Sequence, residues 1–159
     1  MNVQLICVGK LKEPFYKDAA AEYAKRLAPF CRLEIVELAE ERLPPAPSPA
    51  LVRAALKKEA EAIRGRLAQG ARTVALCVEG QTISSPDLAA RLREWEREPV
   101  KSLAFLIGGS FGLDEDLKRE AHLRLSMSPM TFPHHLARVM VLEQLYRAFS
   151  IMNGGKYHK

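Results

Sequence analysis

Most of the short patterns that betray a function are missing from this sequence. Charges break every apolar stretch well short of the ~20 residues that a membrane-spanning helix needs, so no membrane span is expected. The opening MNVQLICVGK lacks the basic, apolar and small-residue succession of a signal peptide and reads as a buried strand; a cytoplasmic location is expected. Cysteine is scarce. Cys7, Cys31 and Cys77 stand in no metal-ligand spacing, and Cys7 and Cys77 lie inside apolar runs, as reduced and buried thiols do. His134 and His135 are adjacent, so they cannot both face one metal from the same side of a helix. With no carboxylate cluster beside them, no metal is expected. No G-x-G-x-x-G opens a first βα turn, and no Gly-Lys-Ser/Thr closes a glycine loop. Neither a dinucleotide nor a triphosphate is therefore the natural ligand.

What remains is ordinary globular material. The chain is 48% apolar and 27% charged, and its 159 residues suit a single domain spanning 1–159. Basic side chains number 24 against 19 acidic ones, a net charge of +5. Such an excess suits a polyanionic partner without requiring one.

Apolar runs and helical patterns alternate along the chain. VQLICVG is apolar throughout, as a strand covered on both faces is. Phe15, Ala19, Tyr23, Leu27 and Phe30 then recur at helical spacing, with Pro29 marking the stop, and RLEIVEL gives a second strand. PPAPSP at 44–49 is a stiff connector rather than a domain linker. Val52, Leu56, Ala60, Ile63 and Leu67 form one helical stripe ended by Gly70, and TVALCVEG is the third strand. Ser85 is the expected N-cap of the next helix, with Pro86 at its first position and Leu88, Leu92 and Trp95 on its buried face. SLAFLIGG is the fourth strand, a short helix starts near Asp114, LRLSMS is a short fifth strand, and the last helix runs from about His134 to Met152. Strands separated by helices imply an α/β fold with a mostly parallel sheet covered by helices. Ligands bind such sheets beyond the carboxyl ends of the strands, which here means the loops after Val8, Cys77, Ile107 and Met127.

Four stretches invite chemistry, and each has a plainer reading. Gly108, Gly109 and Gly112 in LIGGSFGL allow a ligand to approach the backbone, or simply make a tight strand-to-helix turn. Met127, Ser128, Pro129, Met130, Thr131 and Phe132 are too apolar for an exposed turn; they suit a pocket wall holding an aromatic ring, or a loop buried between subunits. Glu143 and Arg147 lie four apart on the last helix, as an ion pair does, although the guanidinium also suits a phosphate. That helix is apolar over more than one face, which suggests a dimer contact. The ending NGGKYHK sets Tyr157 and His158 after an Asn153–Gly155 hinge, as a frayed tail or as reactive groups delivered to a site.

Taken together, VGKLKEPFYKDAAAEYAKRL, IGGSFGL, SMSPMTFPHHLARVMVLEQLYRAFSIM and the closing YHK resemble the ribosomal RNA large-subunit methyltransferase H family, a branch of the SPOUT methyltransferases. The resemblance covers essentially the whole chain; Phe111 and the proline-rich 44–49 segment depart from it. It implies an α/β fold with a C-terminal trefoil knot and a homodimer that binds S-adenosylmethionine in the knot. It also implies methylation of N3 of a pseudouridine in large-subunit ribosomal RNA, on assembled ribosomes. Carried over by position, Leu76, Gly108, Gly109 and Met127 to Phe132 would hold the cofactor. His158, Tyr157 and Arg147 would be catalytic, with the tail folding over the cofactor pocket of the neighbouring subunit. His158 is then the first candidate for the proton acceptor, because a histidine titrates near working pH and a tyrosine, at about 10, does not. A non-enzymatic ribosome-binding factor and an unrelated nucleotide-using α/β enzyme are the competing readings.

Overall fold

Alternation along β1 (Asn2–Val8) decides which side of the sheet each residue serves. Val3, Leu5 and Cys7 enter one apolar cluster, while Ile6 and Val8 enter another on the opposite face. In β4 (Ser102–Ile107), Leu103, Phe105 and Ile107 join the first cluster, and Ala104 and Leu106 the second. Apart from exposed Asn2, both strands are buried throughout, which is why their sequences show no regular polar alternation.

The computed structural model describes residues 1–159. Its other strands are β2 (Arg32–Leu38), β3 (Arg72–Gln81) and β5 (Leu123–Leu125). The five make one sheet in the order β2-β1-β4-β3-β5, with every pairing parallel. The helices are α1 (Pro14–Leu27), α2 (Pro49–Arg66), α3 (Ser85–Glu96), α4 (Glu115–Glu120) and α5 (His134–Met152). Helix α5 packs between α1 and α3 and over β4 on the first face. Ala60 and Ile63 of α2 and Leu117 of α4 cover the second face. No helix is long and apolar enough to cross a membrane.

Several boundaries differ from the sequence reading, each for a local reason. The cap of α3 is Ser84 rather than Ser85: its hydroxyl accepts from the Asp87 amide while the Asp87 carboxylate accepts from the Ser84 amide. This reciprocal box moves the helix start one residue earlier and puts Pro86 in its first turn. Pro49 belongs to α2 and not to the connector, because Ser48 caps that helix by accepting from the Leu51 amide at 3.2 Å. Strand β5 stops at Leu125, where Ser126 leaves the ladder to close its own turn. Phe15, placed by spacing on the buried stripe of α1, is 64% exposed. The last helix has the expected bounds, and none of its side chains is fully exposed, in keeping with its apolar residues on more than one face.

Candidate active site

Three strand-end segments enclose a cavity of about 630 Å³, within the usual range for small-molecule sites. They are residues 76–79 from β3, 107–113 after β4 and 127–134 between β5 and α5. Leu76, Gly108, Gly109, Met127, Ser128, Met130, Thr131 and Phe132, all expected at a cofactor site, line it; Pro129 does not. The loop after β1 borders the cavity without lining it: a Cβ on Gly9 (φ +98°) would lie 3.8 Å from the His134 ring.

Each wall is shaped by a specific backbone irregularity. Leu125 of β5 pairs first with Leu76 and again with Gln81, so residues 77–80 bulge out of the ladder and face the cavity. Gly80 permits this, since a Cβ there would sit 2.7 Å from the Arg124 carbonyl oxygen. The Ser126 amide donates to the Gln81 carbonyl at 2.9 Å and pins the chain where it leaves the sheet. In the second wall, the Gly112 amide donates to Gly109, and a Cβ on Gly108 would collide with the Gly112 carbonyl. Gly108 is thus required by the loop's own closure, whatever ligand approaches it. Glu40, which the sequence reading passed over, lies against Gly109 and accepts from the Ser110 amide at 2.8 Å.

In the third wall the serine hydroxyls serve the loop. Ser126 donates to the Ser128 carbonyl at 2.9 Å, and Ser128 accepts from the Met130 amide at 3.0 Å. The amides of Met127, Ser128, Thr131 and Phe132 make no bond within the chain and remain available to a ligand's polar edge. Apolar Leu76, Ile107, Met127 and Phe132 beside them offer faces for a ring or a thioether. This combination of free backbone donors and apolar walls fits an adenosyl group.

The tail residues form a second constellation. Arg147 is gripped by Glu143 through Nε at 3.0 Å and Nη2 at 2.7 Å, so the ion-pair reading of that spacing holds within the chain. Its Nη1 donates to His158 Nδ1 at 3.4 Å, and its guanidinium lies 4.6 Å from the centre of the Tyr157 ring. Tyr157 donates to Glu143 at 3.2 Å and packs edge-on to Tyr146. Burial, together with hydrogen bonds to Tyr23 and Glu143, pushes the Tyr157 phenol up, so it keeps its proton at neutral pH. The structure therefore brings His158, Tyr157 and Arg147 together but does not bring them to the cavity of their own subunit. None of them lines it, and Arg147 lies about 20 Å beyond His134 along the α5 axis at 1.5 Å per residue.

Arg138 is a site-bordering residue with no sequence signal beyond its place on an apolar helix. It is 2% exposed, donates from Nη1 to Glu37 at 2.6 Å and from Nη2 to the Gly9 carbonyl at 3.0 Å. Burial would push the Glu37 carboxyl up, but Arg138 and the Leu11 amide outweigh it and hold Glu37 below the usual carboxylate range. All three thiols are free. Burial raises Cys7 to about 12 and Cys31 to about 11, as inert structural groups.

Comparison with known proteins agrees with this geometry. The family model described as "Predicted SPOUT methyltransferase" matches residues 1–158. Proteins named ribosomal RNA large subunit methyltransferase H are similar over 100% of both chains: 46% identical in Bifidobacterium animalis subsp. lactis, and 43% in Streptococcus equi subsp. zooepidemicus and in Acetivibrio thermocellus. Among solved structures, a probable methyltransferase from Bordetella pertussis superposes with a TM-score of 0.60 at 18% identity, over 93% of this chain and 96% of that one. A probable methylase family protein from Haemophilus influenzae gives 0.54 at 15% identity, over 99% and 70%. With a family model spanning nearly every residue and full-length relatives above 40% identity, the chain belongs to the SPOUT methyltransferases.

Proposed function

We propose that this protein is an S-adenosylmethionine-dependent methyltransferase that methylates N3 of a pseudouridine in large-subunit ribosomal RNA within the assembled ribosome. It acts as a cytoplasmic homodimer without a metal. The observation that carries this reading is the meeting of three backbone-rich loops, from β3, β4 and β5, around one cavity in a chain similar throughout to ribosomal RNA methyltransferases.

In this reading Leu76, Gly108, Gly109 and Met127 to Phe132 hold the cofactor, backbone groups taking the adenine and ribose. When bound, the cofactor supplies an electrophilic methyl group on a sulfonium. The family resemblance implies that the C-terminal segment is threaded into a trefoil knot; the close packing of residues 124–126 on Gly80 and Gln81 would hold these loops in register without a ligand.

An imide nitrogen attacks only after losing its proton, so the chain must position the base and take that proton. Tyr157 offers a ring for stacking, and the His158 imidazole and Arg147 guanidinium offer polar contacts to the base and its phosphate. The axial gap along α5 makes self-delivery unfavourable, and a second subunit's tail over the cavity resolves it. The modest positive charge suits a protein that relies on the shape of a large preformed substrate.

The test uses labelled S-adenosylmethionine and ribosomes from a strain lacking the modification. The full chain labels large-subunit RNA at one pseudouridine, whereas a variant without residues 157–159 binds cofactor and dimerises but transfers no methyl. Absence of transfer by the full chain, or normal transfer by the truncated one, contradicts the proposal.

A further inference from the structure

Four titratable side chains line the cavity: Cys77, Glu79, Lys118 and His134. Three of them are unsuited to taking a proton at neutral pH. The Lys118 ammonium lies between Glu79 at 2.5 Å and Glu115 at 2.7 Å. Burial alone would lower its affinity for the proton, but the two carboxylates outweigh burial and hold it charged. The same lysine holds Glu79 below the usual carboxylate range, which makes that carboxylate a feeble base. Burial and the nearby Glu79 charge push Cys77 up, so it remains a thiol.

His134 differs from all three. Its ring is half-buried at the junction of the cofactor loop and α5, edge-on to His135 at 4.2 Å and beside Gly9. The Glu13 carboxylate lies 3.5 Å from His135, leaving His134 outside that contact. As the first residue of a long helix, His134 sits at the positive end of the α5 dipole, which disfavours an imidazolium there.

We infer that His134, acting from the cofactor-binding subunit, is the proton acceptor for the substrate imide, while the tail residues hold and orient the base. This rests on the function proposed above. The N3–H bond breaks and its proton passes to a ring nitrogen of His134. The freed electron pair on N3 forms the new bond to the methyl carbon. The carbon–sulfur bond breaks with its pair staying on sulfur, leaving a neutral thioether, and the imidazolium later returns its proton to water. The surroundings keep the ring ready for this. Burial lowers the His134 pKa first, His135 and Arg138 lower it further, and the Glu40 and Glu13 carboxylates offset only part of the shift. A neutral imidazole therefore waits at the cavity at every pH from about 7 upward.

The experiment is single-turnover methylation of ribosomes at saturating cofactor, followed across pH, for the wild type, H134Q, H134A and H158Q. It is accompanied by an NMR titration of His134 in cofactor-free protein. In the wild type the rate rises with pH and levels off above a pKa lower than that of an ordinary histidine, and the NMR titration gives the same low value. H134Q loses that step and falls about 100-fold in rate, as loss of a general base does, with cofactor affinity retained by calorimetry. Added imidazole restores part of the H134A rate. H158Q is slower but keeps the step. An H134Q variant with the wild-type rate and pH profile overturns the inference, as does a His134 that titrates above the ordinary histidine value. A wild type that transfers no methyl group instead overturns the function proposed above.

Discussion

A guanidinium that is 2% exposed needs its charge met, and Arg138 finds the Glu37 carboxylate at 2.6 Å and the Gly9 carbonyl at 3.0 Å. Its Nε has no partner, so the arrangement is tight but not fully satisfied. Glu37 also accepts from the Leu11 amide at 3.0 Å, and through these contacts an ion pair buried on its Arg138 side fixes the turn after β1 against the start of α5. Removing the cation leaves a half-exposed carboxylate without its partner. R138M is expected to lower the unfolding free energy by about 2–3 kcal/mol in urea titrations, below the cost of breaking a fully buried pair. The pH dependence follows from the depressed Glu37 carboxyl. Its stabilisation is fully present above the unfolded-state value and disappears as pH falls through the lower folded-state value. The gap between wild type and R138M is therefore full at neutral pH and narrows below about pH 4. A gap that is absent at neutral pH, or constant into acid, contradicts this account.

At the scale of elements, sheet and helices were legible where the residues act on their immediate neighbours. β1 and β4 could be read because burial on both faces leaves long apolar runs with polar residues only near their starts, and α5 because nineteen residues without glycine or proline follow Pro133. The start of α3 was read one residue late because Ser84 and Ser85 are both competent caps. Only the Asp87 side chain, reaching back to Ser84 at 2.6 Å and 3.2 Å, separates them. S84A is accordingly expected to cost about 1 kcal/mol, a typical cap deletion, while S85A leaves the cap intact. Because the Ser85 hydroxyl also donates to Gln144 at 2.6 Å, the two variants are compared in the Q144A background, where chemical denaturation giving equal losses would show that the cap is not at Ser84. Phe15 shows the opposite limit. Helical spacing marks a face, but only the packing of α1 on α5 decides that the stripe begins at Tyr16 and leaves Phe15 in solvent. The Arg138–Glu37 pair was illegible for a similar reason: the two residues are 101 positions apart, and it takes both the parallel pairing of β1 with β2 and the docking of α5 on the sheet to bring them together.

At the scale of the whole molecule, sheet order brings three distant loops to one cavity, and eight of the nine residues that the motif resemblance assigned to the cofactor are among the 20 that line it. Composition alone stopped at glycine permissiveness and an oddly apolar turn. Glu79 and Lys118 carried no signal, and Cys77 and His134 were read only as a buried thiol and a helix start, because the register shift after Leu76 and the meeting of α4 with the other two loops are properties of the assembled sheet. The tail is the remaining piece. Read as NGGKYHK it is a flexible end; folded, it is a cluster of Tyr157, Arg147, Glu143 and His158 held against α5, far along the helix from the cavity it is proposed to serve. In the function proposed above, this cluster faces an RNA base whose cofactor sits in another subunit. The most direct test is mass spectrometry of nucleosides from large-subunit ribosomal RNA, comparing cells with and without this gene. The account predicts that one N3-methylated pseudouridine is lost from the deletion strain and restored by the gene, and the same methylated nucleoside in both strains would contradict it.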